Sequence, residues 1–129
     1  MPNLVGSSRF LFFMLFLFFF ACAGQQKPVT VETGEKPVVI KASEFKFEPN
    51  DLRARKGEVL TIKVENVSNT IHNLTVKNPQ GTVVADVNIA PNGATTTKIK
   101  LAEPGTYPFY CNRTFHSTLG MKGKIEVGP

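Results

Sequence analysis

A thiol, an imidazole and a thioether follow one another near the C-terminus, at Cys111, His116 and Met121, with four residues between each and the next. Upstream, His72 is the only other histidine of the chain. Two imidazoles, a thiolate and a thioether mix borderline and soft donors, the set with which copper performs electron transfer. Each residue alone has a plainer reading. A lone cysteine behaves as a small buried hydrophobe, His116 as a solvent-facing loop residue, Met121 as a plug for the end of a core, and His72 as a partly buried residue at a strand end. Their placement is what argues for more. Gly120 and Gly123 permit tight backbone turns, so a loop leaving one strand at Cys111 and entering another at Lys122 can fold its donors back onto the sulfur. His72 precedes Cys111 by about forty residues, and the reading requires a fold that brings both to one end.

The elements that must do this are strands. From Val38 the apolar residues alternate, with Val38, Ile40 and Ala42 on one face and Phe45 and Phe47 resuming after a one-residue shift that predicts a bulge. Pro49-Asn50-Asp51 is a turn, Leu52 to Arg55 a short strand, and Lys56-Gly57-Glu58 another tight connection. Val59 to Val64 is the clearest strand, with Leu60, Ile62 and Val64 on one side, and Asn66 to Thr70 is the polar loop that ends it. Ile71 to Lys77, Thr82 to Val87, Thr95 to Leu101, Thr106 to Cys111 and Lys122 to Val127 complete the set, separated by Pro, Gly and Asn turns. No segment has sustained helical period. Seven to eight such strands over residues 38–129 predict an all-β domain, a Greek-key β-sandwich.

Residues Phe10 to Phe20 are an unbroken apolar run, preceded by Arg9 and followed by Ala21, Cys22, Ala23 and Gly24. A membrane-spanning helix needs roughly 20 such residues, whereas a charged start, a short apolar centre and small residues behind it describe a signal peptide over residues 1–23. Two processing routes are open. Ala21-Cys22-Ala23 suits cleavage before Gly24, and Phe19-Phe20-Ala21-Cys22 resembles a lipobox in which Cys22 becomes a lipidated first residue. Residues 24–37, polar with two prolines and two glycines, read as a flexible tether. The expected location is the bacterial periplasm or cell envelope, membrane-anchored where Cys22 is lipidated. Export leaves Cys111 as the sole thiol, which cannot form an internal disulfide and calls for burial or metal ligation.

The chain carries 15 basic and 10 acidic residues, a net charge of +5, and loss of Arg9 lowers this to +4. The charges are interspersed, as with Lys63 near Glu65 and Lys124 near Glu126. A basic run interleaved with aromatics, the mark of nucleic-acid binding, is missing, so no nucleic-acid partner is expected.

Beyond single residues, several motifs combine. They are Ile40-x-Ala42-x-x-Phe45-x-Phe47-x-Pro49, Lys56-Gly57-Glu58, Asn66, His72-Asn73 and Cys111-x4-His116-x4-Met121-x-Gly123. Over about residues 38–127 the chain resembles the cupredoxins, the family of small type 1 blue-copper proteins, with a ligand-loop length similar to that of rusticyanin-like members. The resemblance implies one copper per chain, with His72, Cys111 and His116 in a trigonal plane and Met121 as the long axial ligand. It also implies that Asn73 ties the two ligand-bearing loops and hydrogen-bonds near the thiolate, a contact of the kind that orients ligands and tunes a metal. Ile71 departs from the pattern, standing where azurins have a glycine whose carbonyl approaches the metal, so a fifth contact is not carried over.

The implied function is single-electron transfer between redox proteins such as cytochromes or a terminal reductase or oxidase, by a monomer. His116 would be the electron port, and Phe115, Leu119 and Pro108 either an apolar docking patch or core. An enzyme would need a second copper centre built from several further histidines. With two histidines in the chain, both already assigned, none is expected. Copper delivery without redox turnover uses the same ligands and is the alternative; a metal-free structural sandwich predicts no stoichiometric copper.

Overall fold

The alternating apolar residues sort onto inner and outer faces as their period requires. In the computed structural model, which describes residues 26–31 and 36–129, ten strands run in chain order. They are β1 (Val29–Thr30), β2 (Val38–Ser43), β3 (Lys46–Glu48), β4 (Asp51–Arg55), β5 (Val59–Asn66), β6 (His72–Lys77), β7 (Val83–Ile89), β8 (Ala94–Lys100), β9 (Gly105–Tyr110) and β10 (Lys122–Gly128). The described residues contain no helix. The signal segment with Cys22, and the processing that it predicts, lie outside the described residues.

Two mixed sheets pack face to face. One has the order β3-β2-β5-β8 and the other β1-β4-β10-β9-β6-β7. β2 runs parallel to β5, and β4 parallel to both β10 and β1, whereas the remaining pairs are antiparallel. Parallel neighbours distant in sequence require crossovers from sheet to sheet, as in the expected Greek-key sandwich. Ile40, Phe47, Ile62, Val64 and Ile99 of the smaller sheet face Leu52, Leu74, Val76, Tyr107, Phe109 and Ile125 of the larger. All are buried. Each contributes about 1.5–3 kcal/mol by leaving water, and the rings of Phe47 and Phe109 meet edge to face with centroids 5.7 Å apart. The buried Tyr107 satisfies its hydroxyl by donating to the Glu103 carbonyl and accepting from the Glu103 N–H.

Three local expectations change. Where a bulge was expected between Ala42 and Phe45, the chain reverses. β2 and β3 form an antiparallel hairpin with Ser43 opposite Lys46, and Phe45 takes a left-handed φ of 56° in the turn. The shift between the Val38-Ile40-Ala42 series and the Phe45-Phe47 pair therefore reflects a change of strand and not an extra residue in one. Within the expected tether, β1 docks parallel to β4, with the Val31 N–H donating to the Arg53 carbonyl and Val31 itself buried. The Val-Thr-Val alternation is long enough to add a short edge strand, so that stretch is held against the domain. The third change concerns Gly123, which is not a turn residue. It lies within β10 opposite Phe109, and a Cβ there would overlap the Phe109 ring and the Asn50 carbonyl oxygen.

Gly123→Ala is expected to cost about 1–3 kcal/mol, the usual penalty for overpacking. At ~4–8 °C per kcal/mol for a domain of this size, thermal unfolding followed by circular dichroism reads the loss. A melting point equal to that of the parent chain would show that Phe109 does not need this clearance.

Candidate metal centre

β9 is the strand that assembles the site. On one side it pairs with β10, so Cys111, just past the end of β9, donates its N–H to the Met121 carbonyl at 3.0 Å. On the other side it pairs with β6, with Thr75 opposite Tyr110. His72 opens β6, so the same register sets it beside the start of the loop that follows Cys111. The long gap between His72 and Cys111 is thus closed by two neighbouring strands of one sheet.

Between Cys111 and Met121 the backbone folds into successive turns. His116 N–H donates to the Arg113 carbonyl, Leu119 N–H to that of Phe115, and Met121 N–H to that of His116. Phe115, with φ of 62°, and Gly120, with φ of 116°, take the left-handed conformation that bends the loop back. The Arg113 guanidinium donates to Asn88 Oδ1 at 2.8 Å and pins the loop to β7.

The result is a tight cluster of donor atoms. His72 Nδ1 lies 3.2 Å from His116 Nδ1, and His116 Nδ1 lies 3.4 Å from Cys111 Sγ. All three ligand atoms fall within 4.8 Å of one another. His72, Cys111 and Met121 are fully buried, whereas His116 is half-buried, its ring edge to face with Phe45 at 5.2 Å. Burial, and secondarily the neighbouring His116, holds the His72 pKa below the usual histidine value, with Glu44 opposing. A neutral imidazole keeps a lone pair for a cation. Met121 is held by backbone bonds to both Cys111 and His116. The residues suit a soft cation, since two nitrogens and a sulfur converge in a pocket shielded from water.

Beside the sulfur, Asn73 is hydrogen-bonded through both its backbone and its side chain. The Asn73 N–H points at Cys111 Sγ, 3.5 Å away. Its side chain accepts the Asn112 N–H at 2.7 Å and donates to Asp86 Oδ1 and Thr75 Oγ1. Asn73 therefore joins β6, β7 and the loop after β9, and fixes the backbone on either side of the sulfur. Two residues without an expected role also reach the site. Asn66 and Ser68 are buried, and Ser68 Oγ lies 2.9 Å from His72 Nε2. The signal for Asn66 was its place two residues after Val64 on the inward-facing side of β5, where an apolar residue would continue the pattern. Of the three apolar loop neighbours, Phe115 is 71% and Leu119 59% exposed, and Pro108 is exposed as well. They are surface and not core.

Known proteins share this arrangement of strands. A family model described as a cupredoxin-like domain matches residues 11–127. Plastocyanin of Dryopteris crassirhizoma is 31% identical over 108 residues, covering 75% of this chain and 97% of that protein. The chloroplastic plastocyanin of Oryza sativa subsp. indica is 34% identical over 96 residues, covering 63% of this chain. This chain spans about half the length of that relative, 54%. Among solved structures, reduced auracyanin from the photosynthetic bacterium Roseiflexus castenholzii superposes with a TM-score of 0.67 at 20% identity, covering 76% of this chain and 98% of that one, a likeness of fold. With a sandwich of this topology and a family match across nearly its whole length, the chain belongs to the cupredoxin-like domain family.

Proposed function

We propose that this chain is an exported carrier of single electrons, working through one type 1 copper held by His72, Cys111, His116 and Met121. The observation that carries the reading is the meeting of two imidazole Nδ1 atoms and a thiol sulfur within 4.8 Å. Three lone-pair donors in so small a volume repel one another unless a proton or a metal cation lies among them, and the mixed nitrogen–sulfur set favours the metal. Similarity to plastocyanins supports the same reading. When bound to such a donor set, copper supplies a one-electron couple whose potential depends on the axial ligand and on the hydrogen bonds to the sulfur.

The residues of the chain do the remainder. Cys111 provides the thiolate in a dry pocket, Asn73 donates its N–H to that sulfur, and Met121 is the axial thioether. His72 and Cys111 are closed off from water, so exchange with a partner runs through the half-buried His116. Phe115 and Leu119, exposed beside it, form an apolar rim against which a redox protein such as a cytochrome, a terminal reductase or an oxidase docks. Residues 1–23 act as the signal peptide, with lipidation at Cys22 where the chain is anchored to the cell envelope.

Copper reconstitution followed by visible spectroscopy tests the site. The wild-type protein is expected to bind one copper and turn intensely blue, and Cys111→Ser to lose the band entirely. A colourless wild-type complex, or a Cys111→Ser protein that stays blue, would overturn the assignment. Met121→Gln is expected to lower the reduction potential, by about 59 mV for each tenfold gain in preference for Cu(II) over Cu(I). Voltammetry showing an unchanged or raised potential would remove Met121 from the ligand set.

A further inference from the structure

The loop between β5 and β6 holds a chain of hydrogen bonds whose direction can be worked out. It starts at Asn66. The side-chain nitrogen of Asn66 faces three backbone carbonyls, those of Thr70 at 2.8 Å, Ala90 at 3.0 Å and Ile89 at 3.4 Å. Carbonyl oxygens only accept, so the amide nitrogen and not its oxygen must occupy that position. Asn66 Oδ1 is thereby turned toward Ser68, where it accepts the backbone N–H at 3.0 Å and the hydroxyl at 2.9 Å.

A hydroxyl has one proton, and that of Ser68 is committed to Asn66 Oδ1. The other acceptor in reach, the Thr70 carbonyl at 3.3 Å, would consume it equally. What Ser68 Oγ can offer in other directions is lone pairs. One meets the Thr70 N–H at 3.3 Å, and one meets His72 Nε2 at 2.9 Å. Nε2 must therefore be the donor in that bond. A neutral imidazole has one N–H, so Nδ1 is left bare, on the side that faces His116 Nδ1 and Cys111 Sγ.

We infer that Ser68, oriented by Asn66, is a positioning residue that fixes the tautomer and ring orientation of His72, so that a bare Nδ1 points into the ligand cluster. The relay is firmly mounted. Asn66 is held at its backbone by the Gly93 carbonyl, and Ser68 offers its own carbonyl to the Asn92 N–H at 3.0 Å. Asn66 belongs to the smaller sheet, whereas Ile89 ends β7 of the larger one, so the relay locks the two sheets together at the end where the ligands meet. Ser68 and Asn66 are 9% and 3% exposed and His72 is at 0%, which leaves little access for water to replace a lost hydroxyl. The inference extends the copper reading to one of its ligands, and its first readout needs no metal.

Long-range nitrogen–proton NMR on the metal-free full chain, at mildly alkaline pH, distinguishes the two neutral tautomers. The wild-type His72 is expected in the Nε2–H form, Ser68→Ala to lose the dominance of that form, and Ser68→Thr, which keeps the hydroxyl, to restore it. A wild-type ring in the Nδ1–H form overturns the inference even if Ser68→Ala does not fold. So does a Ser68→Ala ring that remains wholly Nε2–H. In copper titrations Ser68→Ala is expected to bind about 10–100-fold more weakly, the usual effect of removing a partner of a ligating histidine, with Ser68→Thr close to wild type. Unchanged affinity in Ser68→Ala overturns the positioning role. A wild-type chain with the Nε2–H tautomer that takes up no copper supports the relay and instead sinks the copper reading.

Discussion

A buried thiol beside a buried imidazole is stable only where every polar atom around the pair has a partner, because an unpaired buried group costs about 1–3 kcal/mol. Much of this end of the molecule can be understood from that constraint. Asn73 spans three segments with its one side chain, taking the N–H of Asn112 and giving its own protons to Thr75 and Asp86. On the opposite side, Asn66 donates its two amide protons to the carbonyls of Thr70 and Ala90, with that of Ile89 farther off, and orients Ser68, which in turn meets His72. Two asparagines thus flank the ligand cluster, and both join strands that are distant in sequence.

The strand order makes this arrangement possible. β9 lies between β10 and β6, so one strand presents Cys111 to Met121 on one side and to His72 on the other. The Phe109 ring packs over Gly123 and meets Phe47 of the facing sheet. Apolar packing of this kind, two residues before the sulfur, resists movement of the Cys111 backbone. For the proposed electron carrier such rigidity would matter, since ligands that stay in place when the charge of a bound metal changes keep reorganisation small. The half-buried His116, between Phe45 and the exposed Phe115 and Leu119, is where the cluster comes nearest to solvent.

The even spacing of Cys111, His116 and Met121 singled out one loop, of which the structure brings Cys111 and His116 together with His72, and the sandwich was legible from the alternation of strands such as β5. The hairpin at Glu44 and Phe45 was not legible, because a two-residue turn and a one-residue bulge break an alternating pattern in the same way. The role of Gly123 was also hidden. In sequence a glycine after a loop suggests a turn, and only cross-strand register reveals that Phe109 lies over it. Ser68 looked like one of several polar loop residues, since nothing local says that its hydroxyl reaches a histidine four positions later.

Residue chemistry, then, is what the sequence determined alone: the donor types, their spacing within one loop, and the two-residue period that demands sheets. These are local properties, visible to any reader of the chain. Which distant residue joins the loop, which way each amide and hydroxyl points, and which imidazole nitrogen is left bare depend on strand pairing across tens of residues. Tertiary structure decided them, because a hydrogen bond acquires its direction only when both partners, and the competitors of each, have been brought into contact.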